Sequence, residues 1–161
     1  MNIFYLDKDP VLAAQAQCDK HVVKMILESA QIMCTAIGKS KPHIQCFLPY
    51  RMTHKNHPCV LWAESSPQNF DWLYRHACAL AAEYTHRYGK VHKSTAVIAW
   101  CSENRPIRLV DGCFNKPALA MPDEYKDDDP VVAYRRYYTE CKRDTIQMKW
   151  TKRQPPEWWT K

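Results

Sequence analysis

Apolar positions in residues 18–38, CDKHVVKMILESAQIMCTAIG, recur at a helical period. Val22, Ile26, Met33 and Ile37 form one seam, and Val23, Leu27 and Ala30 widen it. Asp19 is placed to cap the start of this helix, and Gly38 to stop it in a left-handed conformation. The polar positions keep the same period. His21, Lys24, Glu28, Gln31 and Thr35 fall three and four apart, which lines up an imidazole, an ammonium, a carboxylate and an amide on one helix face. A solvated helix face is usually built from repeated Lys and Glu. This one holds unlike groups in single copies, so it is a candidate lining for a site.

A second stripe, Phe70, Leu73, Tyr74, Ala77, Leu80, Ala81, Tyr84 and Tyr88, begins behind Ser66 as cap and Pro67 in the first turn, and stops at Gly89. Its period assigns the aromatics to a core rather than to a platform for stacking bases. Asp9-Pro10 opens a short helix to about residue 17, and Ser94 caps one over 95–103. Asp129-Pro130 opens a helix to about residue 143, with Tyr134, Tyr137, Tyr138 and Cys141 inward and Arg135, Arg136, Lys142 and Arg143 outward. Residues 3–6 are a strand or extended lead-in. Residues 39–58 carry prolines and bases without a period, a loop long enough to suggest function, whereas 57–63 start a short apolar turn. Residues 104–126 break up around Pro106, Pro117 and Pro122, with an irregular hairpin over 107–114. The expected fold is mainly α: a single-domain helical bundle over 1–161, with long loops, a short N-terminal extended segment, and an aromatic, basic tail (145–161) docked on it.

The composition is consistent with this picture, since 161 residues with 46% apolar side chains and 3 Gly suit one helical domain with a core. No apolar run is long enough for a membrane span, and the start MNIFYLDKDP lacks the pattern of a secretory signal. The expectation is a cytoplasmic monomer with no membrane partner. Eight cysteines without an export signal or a C-x-x-C pair read as reduced thiols. Net charge is +6, but residues 123–129 hold five acids and one Lys, or −4, leaving +10 on the rest. A basic body of this kind favours a polyanionic partner, most often nucleic acid.

Four groups of residues could carry chemistry. On the first helix, Glu28 beside a cation can act as base or electrostatic stabiliser, His21 as acid or base, and Lys24 as nucleophile. In the loop, Arg51, His54, Lys55 and His57 can hold phosphates. His54, His57 and Cys59, with Cys46 or His43, match no standard zinc spacing, so no metal is expected. Arg87, Lys90, His92 and Lys93 cluster between two helices, as a phosphate site would. Trp150, Trp158 and Trp159 with Lys149, Lys152 and Arg153 suit either base stacking or docking of the tail. No glycine-rich nucleotide loop is present, and no cofactor is expected.

The run Phe70-Asp71-Trp72-Leu73-Tyr74-Arg75, continuing to Glu83-Tyr84-Thr85-His86-Arg87-Tyr88-Gly89, resembles the second long helix and helix stop of the phage and bacterial pyrimidine-dimer DNA glycosylases with AP-lyase activity. Residues 6–33 and the Trp-rich end are similar more weakly, so that about half the chain takes part. The resemblance implies a phage-encoded base-excision enzyme acting on damaged or modified pyrimidines in double-stranded DNA. The α-amine of the first residue would attack C1′, a Glu on the first long helix would assist, and the resulting Schiff base would permit strand cleavage on a kinked duplex with a flipped base. This chain departs from the family in two places. Asn2 is too large for efficient release of Met1, so the free amine is that of Met1 or of a processed Asn2. Aligned with the family, His21 falls at its Glu, with Glu28 two turns further on. The alternatives from other classes are a non-catalytic nucleic-acid-binding protein and a small phage enzyme acting on a modified base or nucleotide.

Overall fold

The computed structural model describes residues 1–106 and 112–159. Among them are seven α-helices, several short 3-10 or π turns and no strand. Helix α1 (Pro10–Gln15) starts as its sequence requires, with the Asp9 carboxylate accepting from the amides of Val11 and Leu12. Helix α2 (Asp19–Ser40) differs from expectation at both ends. Its cap residue is Cys18, whose side chain makes no capping bond, while Asp19 lies inside the first turn and accepts from Thr151 and Arg87. Gly38 is not the stop, because the helix runs on to Ser40 before Pro42. A Cβ on Gly38 would lie 2.7 Å from both Leu48 Cδ1 and Met52 Sδ, so the glycine lets the following loop press against the helix.

After a 3-10 turn over Pro42–Phe47 the loop reaches α3 (Pro58–Ser65), where His57 Nδ1 accepts from the Cys59 amide. Helix α4 (Pro67–Tyr88) has the predicted ends: Ser66 Oγ accepts from the Asn69 amide, and Gly89 closes the helix at φ 66°. Helix α5 is Thr95–Glu103, and α6 (Pro130–Arg136) begins behind an Asp129 cap. The single helix expected to residue 143 instead widens into a π turn over Tyr137–Lys142 before the short α7 (Arg143–Thr145). Nothing in the spacing of apolar residues marks that change. The expected hairpin over 107–114 falls largely on 107–111, outside the described residues, and 112–119 carry no regular structure.

Helix α2 packs on α4, with α3 and α5 at its flanks, and α1 lies against α4. Val22, Ile26, Ala30, Met33 and Ile37 are wholly buried, joined by Met25 and Ile32. Val23 and Leu27 do not widen the seam; they are 40% and 39% exposed, on the flank beside Lys24 and Glu28. Residues 3–6 run through the core, with Ile3, Phe4, Tyr5 and Leu6 all buried. At roughly 1.5–3 kcal/mol of gross transfer free energy per large apolar side chain, this burial holds the start of the chain firmly in place. The far end is buried too: Trp150 donates through Nε1 to the Ala16 carbonyl, and the Asp19 amide donates to Lys149 O. No helix is long and apolar enough to cross a membrane among the described residues.

Candidate active site

The buried path of residues 1–6 brings the first two backbone nitrogens to the polar face of α2. The Met1 ammonium lies 3.9 Å from Glu28 Oε2, and the Asn2 amide donates to the same oxygen at 3.0 Å. Lys24 Nζ reaches Oε1 of the same carboxylate at 3.3 Å, one turn back on the helix. The Glu28 side chain is 12% exposed and that of Lys24 69%, so the carboxylate lies recessed with the ammonium at its mouth. The Asn2 side chain accepts from the amides of Ile3 and Phe4 and donates to the Ala120 carbonyl. That bend fits Phe4, which takes a φ of 42°. Position 2 carried no signal in the sequence beyond its place next to the chain's start.

The loop before α3 is drawn alongside. Thr35 Oγ1 donates to the Gln31 carbonyl and accepts from the Thr53 amide, and Lys39 Nζ donates to the Lys55 carbonyl. His57 is held below its ordinary value by burial first, then by the terminal ammonium and His54, while Glu28 pulls the other way. His54, His57, the amine and Glu28 therefore share one neighbourhood. His54 sits at φ 48° with Nδ1 paired to Thr53 Oγ1 at 2.6 Å, and Arg51, His54 and Lys55 are exposed. Burial pushes the Cys59 thiol up to about 12. Among the described residues no three His, Cys, Asp or Glu side chains cluster as metal ligands.

His21 lies elsewhere, although it shares a helix face with Glu28 in projection. It is 7% exposed, its ring stacks on Phe4 at 4.3 Å between centroids, and Nδ1 pairs with the Tyr138 hydroxyl at 2.8 Å. Burial, then Lys142 and Lys24, lower its pKa to about 3, so the imidazole that shares this hydrogen bond with Tyr138 is neutral. The residue opposite the chain's start is thus Glu28, and His21 makes no contact with the amine.

Of the expected nucleic-acid contacts, Arg87 and Trp150 are turned inward and Arg153, half-buried, is paired within the protein. Arg87 is wholly buried and donates to Glu83, Asp19 and the carbonyls of Gln17 and Gln15. Its place at a helix end suggested a phosphate site, but these acids and carbonyls use its donors. Arg153 forms a two-pronged pair with Glu83. Burial alone would raise the Glu83 carboxyl, yet the bonds from Arg153 and Arg87 overcome it and hold the group below its ordinary value. Trp150 is 8% exposed and packs against Trp159 at 5.2 Å between centroids, so its ring is covered. Lys152 stays exposed, with Nζ on the His86 carbonyl.

Lys90 and Lys93 are exposed in the turn between α4 and α5. There His92 Nδ1 accepts from the Ser94 amide, and Ser94 Oγ meets the Tyr50 hydroxyl at 3.0 Å. That last bond ties the basic turn to the start of the loop bearing Arg51, His54 and Lys55.

This arrangement sets a primary amine and a recessed carboxylate within ionic contact, with basic loops beside them. Such a pair can attack an electrophilic carbon and shuttle the proton the attack releases. A family model described as pyrimidine dimer DNA glycosylase matches residues 1–96, which include both nitrogens, Lys24, Glu28 and His57. No curated protein and no solved structure matches the chain.

Proposed function

The chain belongs to the pyrimidine dimer DNA glycosylase family, and on that premise we propose that it excises damaged pyrimidines from DNA with the α-amine at Met1 as nucleophile and Glu28 as acid–base partner. The observation carrying this reading is the contact of the Met1 ammonium and the Asn2 amide with one recessed carboxylate oxygen. The amine attacks C1′ of the damaged nucleotide, and the base leaves with the electrons of the glycosidic bond. Glu28 takes up the proton that the amine sheds and returns it to O4′ as the C1′–O4′ bond opens, and the imine so formed at C1′ permits elimination of the 3′ phosphate, which cleaves the strand. The buried path of residues 1–6 holds the first amine against the carboxylate, whereas the lysine amine rides on a flexible, exposed stem. That favours the chain's first amine over Lys24, whose ammonium pairs with Glu28 Oε1 at the mouth of the recess.

DNA is the substrate class the family implies, and we take it to be double-stranded, bound by a monomer. Lys24, Arg51, His54 and Lys55 flank the recess, with Lys90, His92 and Lys93 as an outer contact to the backbone. Arg87, Trp150 and Arg153 have no part in that surface, because each is used inside the protein.

Borohydride trapping on abasic and on UV-irradiated duplexes tests the reading. Wild type gives a covalent protein–DNA adduct, and Glu28→Gln loses it by at least about 100-fold while still binding the duplex. Tight, salt-sensitive binding with no adduct on either substrate would instead mark a non-catalytic DNA-binding protein.

A further inference from the structure

The amine and Glu28 are held in contact by a chain of hydrogen bonds that leads out of the matched region into the C-terminal third of the protein. Tyr134, on α6, is wholly buried, and its hydroxyl donates to the Ala118 carbonyl at 2.6 Å. The Ala120 amide points back at that hydroxyl at 3.4 Å and at Ala118 O at 3.2 Å, so one phenol closes the 118–120 turn. The carbonyl of Ala120 receives Asn2 Nδ2 at 2.9 Å. Asn2 Oδ1 in turn gathers the amides of Ile3 and Phe4 at 2.7 and 2.9 Å, and the Asn2 amide donates to Glu28.

We infer that Tyr134, acting through the 118–120 turn and the Asn2 side chain, is a positioning residue that sets the distance between the chain's first amine and the Glu28 carboxylate; this rests on the function proposed above. Neither the Tyr134 hydroxyl, the 118–120 turn nor the Asn2 side chain touches the reacting atoms. The bonds at Asn2 Oδ1 are buried and the other links part-buried, so a lost partner inside the path is not fully replaced by solvent. Geometry of this kind matters because displacing a nucleophile by about 1 Å can cost about 100-fold in rate. The plainer role, a core tyrosine satisfying two backbone groups, predicts lower stability but an unchanged rate per folded molecule.

Single-turnover imine trapping on an abasic duplex, at saturating protein and well below each variant's melting temperature, separates the two. Tyr134→Phe and Asn2→Leu are each compared with wild type and with Tyr137→Phe, which removes a hydroxyl from the next turn. The inference predicts that Tyr134→Phe and Asn2→Leu trap about 10–100-fold more slowly per folded molecule, with the duplex Kd within about twofold and an altered pH profile. Tyr137→Phe should match wild type. Wild-type rates and pH profile in both variants would overturn the positioning role and leave the proposed function standing. A fall in rate matched by an equal rise in Kd would overturn it as well. Absence of any wild-type adduct would sink the function and this inference with it. Should Tyr134→Phe fail to fold, Asn2→Leu decides alone.

Discussion

Arg87→Ala is the perturbation whose outcome follows most directly from the structure. The guanidinium is 0% exposed and makes four bonds of 2.9–3.1 Å, to Glu83, Asp19 and the Gln17 and Gln15 carbonyls. Alanine strands both carbonyls and leaves Asp19 only its bonds from Thr151, while Glu83 keeps Arg153. Truncating one partner of a buried ion-pair network costs about 3–5 kcal/mol, and here the carbonyls of Gln17 and Gln15 also lose their charged donor. For a chain of this length each kcal/mol lowers Tm by about 2–4 °C, so the expected fall is about 6–20 °C. Thermal and urea unfolding measure it. The same variant, held at a temperature where it is folded, should keep the wild-type slope of log K for DNA against log salt. Lys24→Ala, which removes an exposed cation at the recess, should make that slope shallower by about one unit. An Arg87→Ala protein within about 3 °C of wild type, with a slope shallower by about one, would show that Arg87 faces DNA and that the buried network is wrong.

Acid should destabilise the protein early. His21 and His76 are buried neutral imidazoles lowered to about 3, chiefly by burial. The unfolded chain takes up their protons first, so stability is complete above about pH 6.5 and falls as pH drops towards 3, by up to about 1.4 kcal/mol per unit for each histidine. Urea unfolding at pH 7, 6 and 5 reads this, and equal stability at all three would contradict the burial of both rings. Gly38→Leu should cost about 1–3 kcal/mol by overpacking against Leu48 and Met52. It should also weaken duplex binding, since those residues lead into the loop bearing Arg51, His54 and Lys55; unchanged urea midpoint and Kd would show that the loop does not press on α2.

Much of the scaffold could be read from local chemistry. Helix α4 was legible at both ends because Ser66, Pro67 and Gly89 are sequence neighbours of the turns they make. Gly38 misled for the opposite reason: what it serves is the approach of Leu48 and Met52, a tertiary demand with no local mark. Arg87 looked like a phosphate ligand because a cation at a helix end often is one; its acid Asp19 lies 68 positions away. The spacing of His21 and Glu28 puts both on one side of α2 in projection. Which of them meets the chain's start depends on the path of residues 1–6, and Phe4 covers His21 while the Met1 ammonium and the Asn2 amide reach Glu28. The role of Asn2 was invisible for the same reason, since its partner Ala120 is 118 positions away.

Everything proposed for the chemistry depends on the nitrogen that Glu28 faces being the one that attacks. Mass mapping of the borohydride-reduced adduct on an abasic duplex asks this directly. The account predicts a single modified site, the α-amine of the first residue, lost in Glu28→Gln. An adduct carried by Lys24 or by any other lysine, with the first amine unmodified, would contradict it.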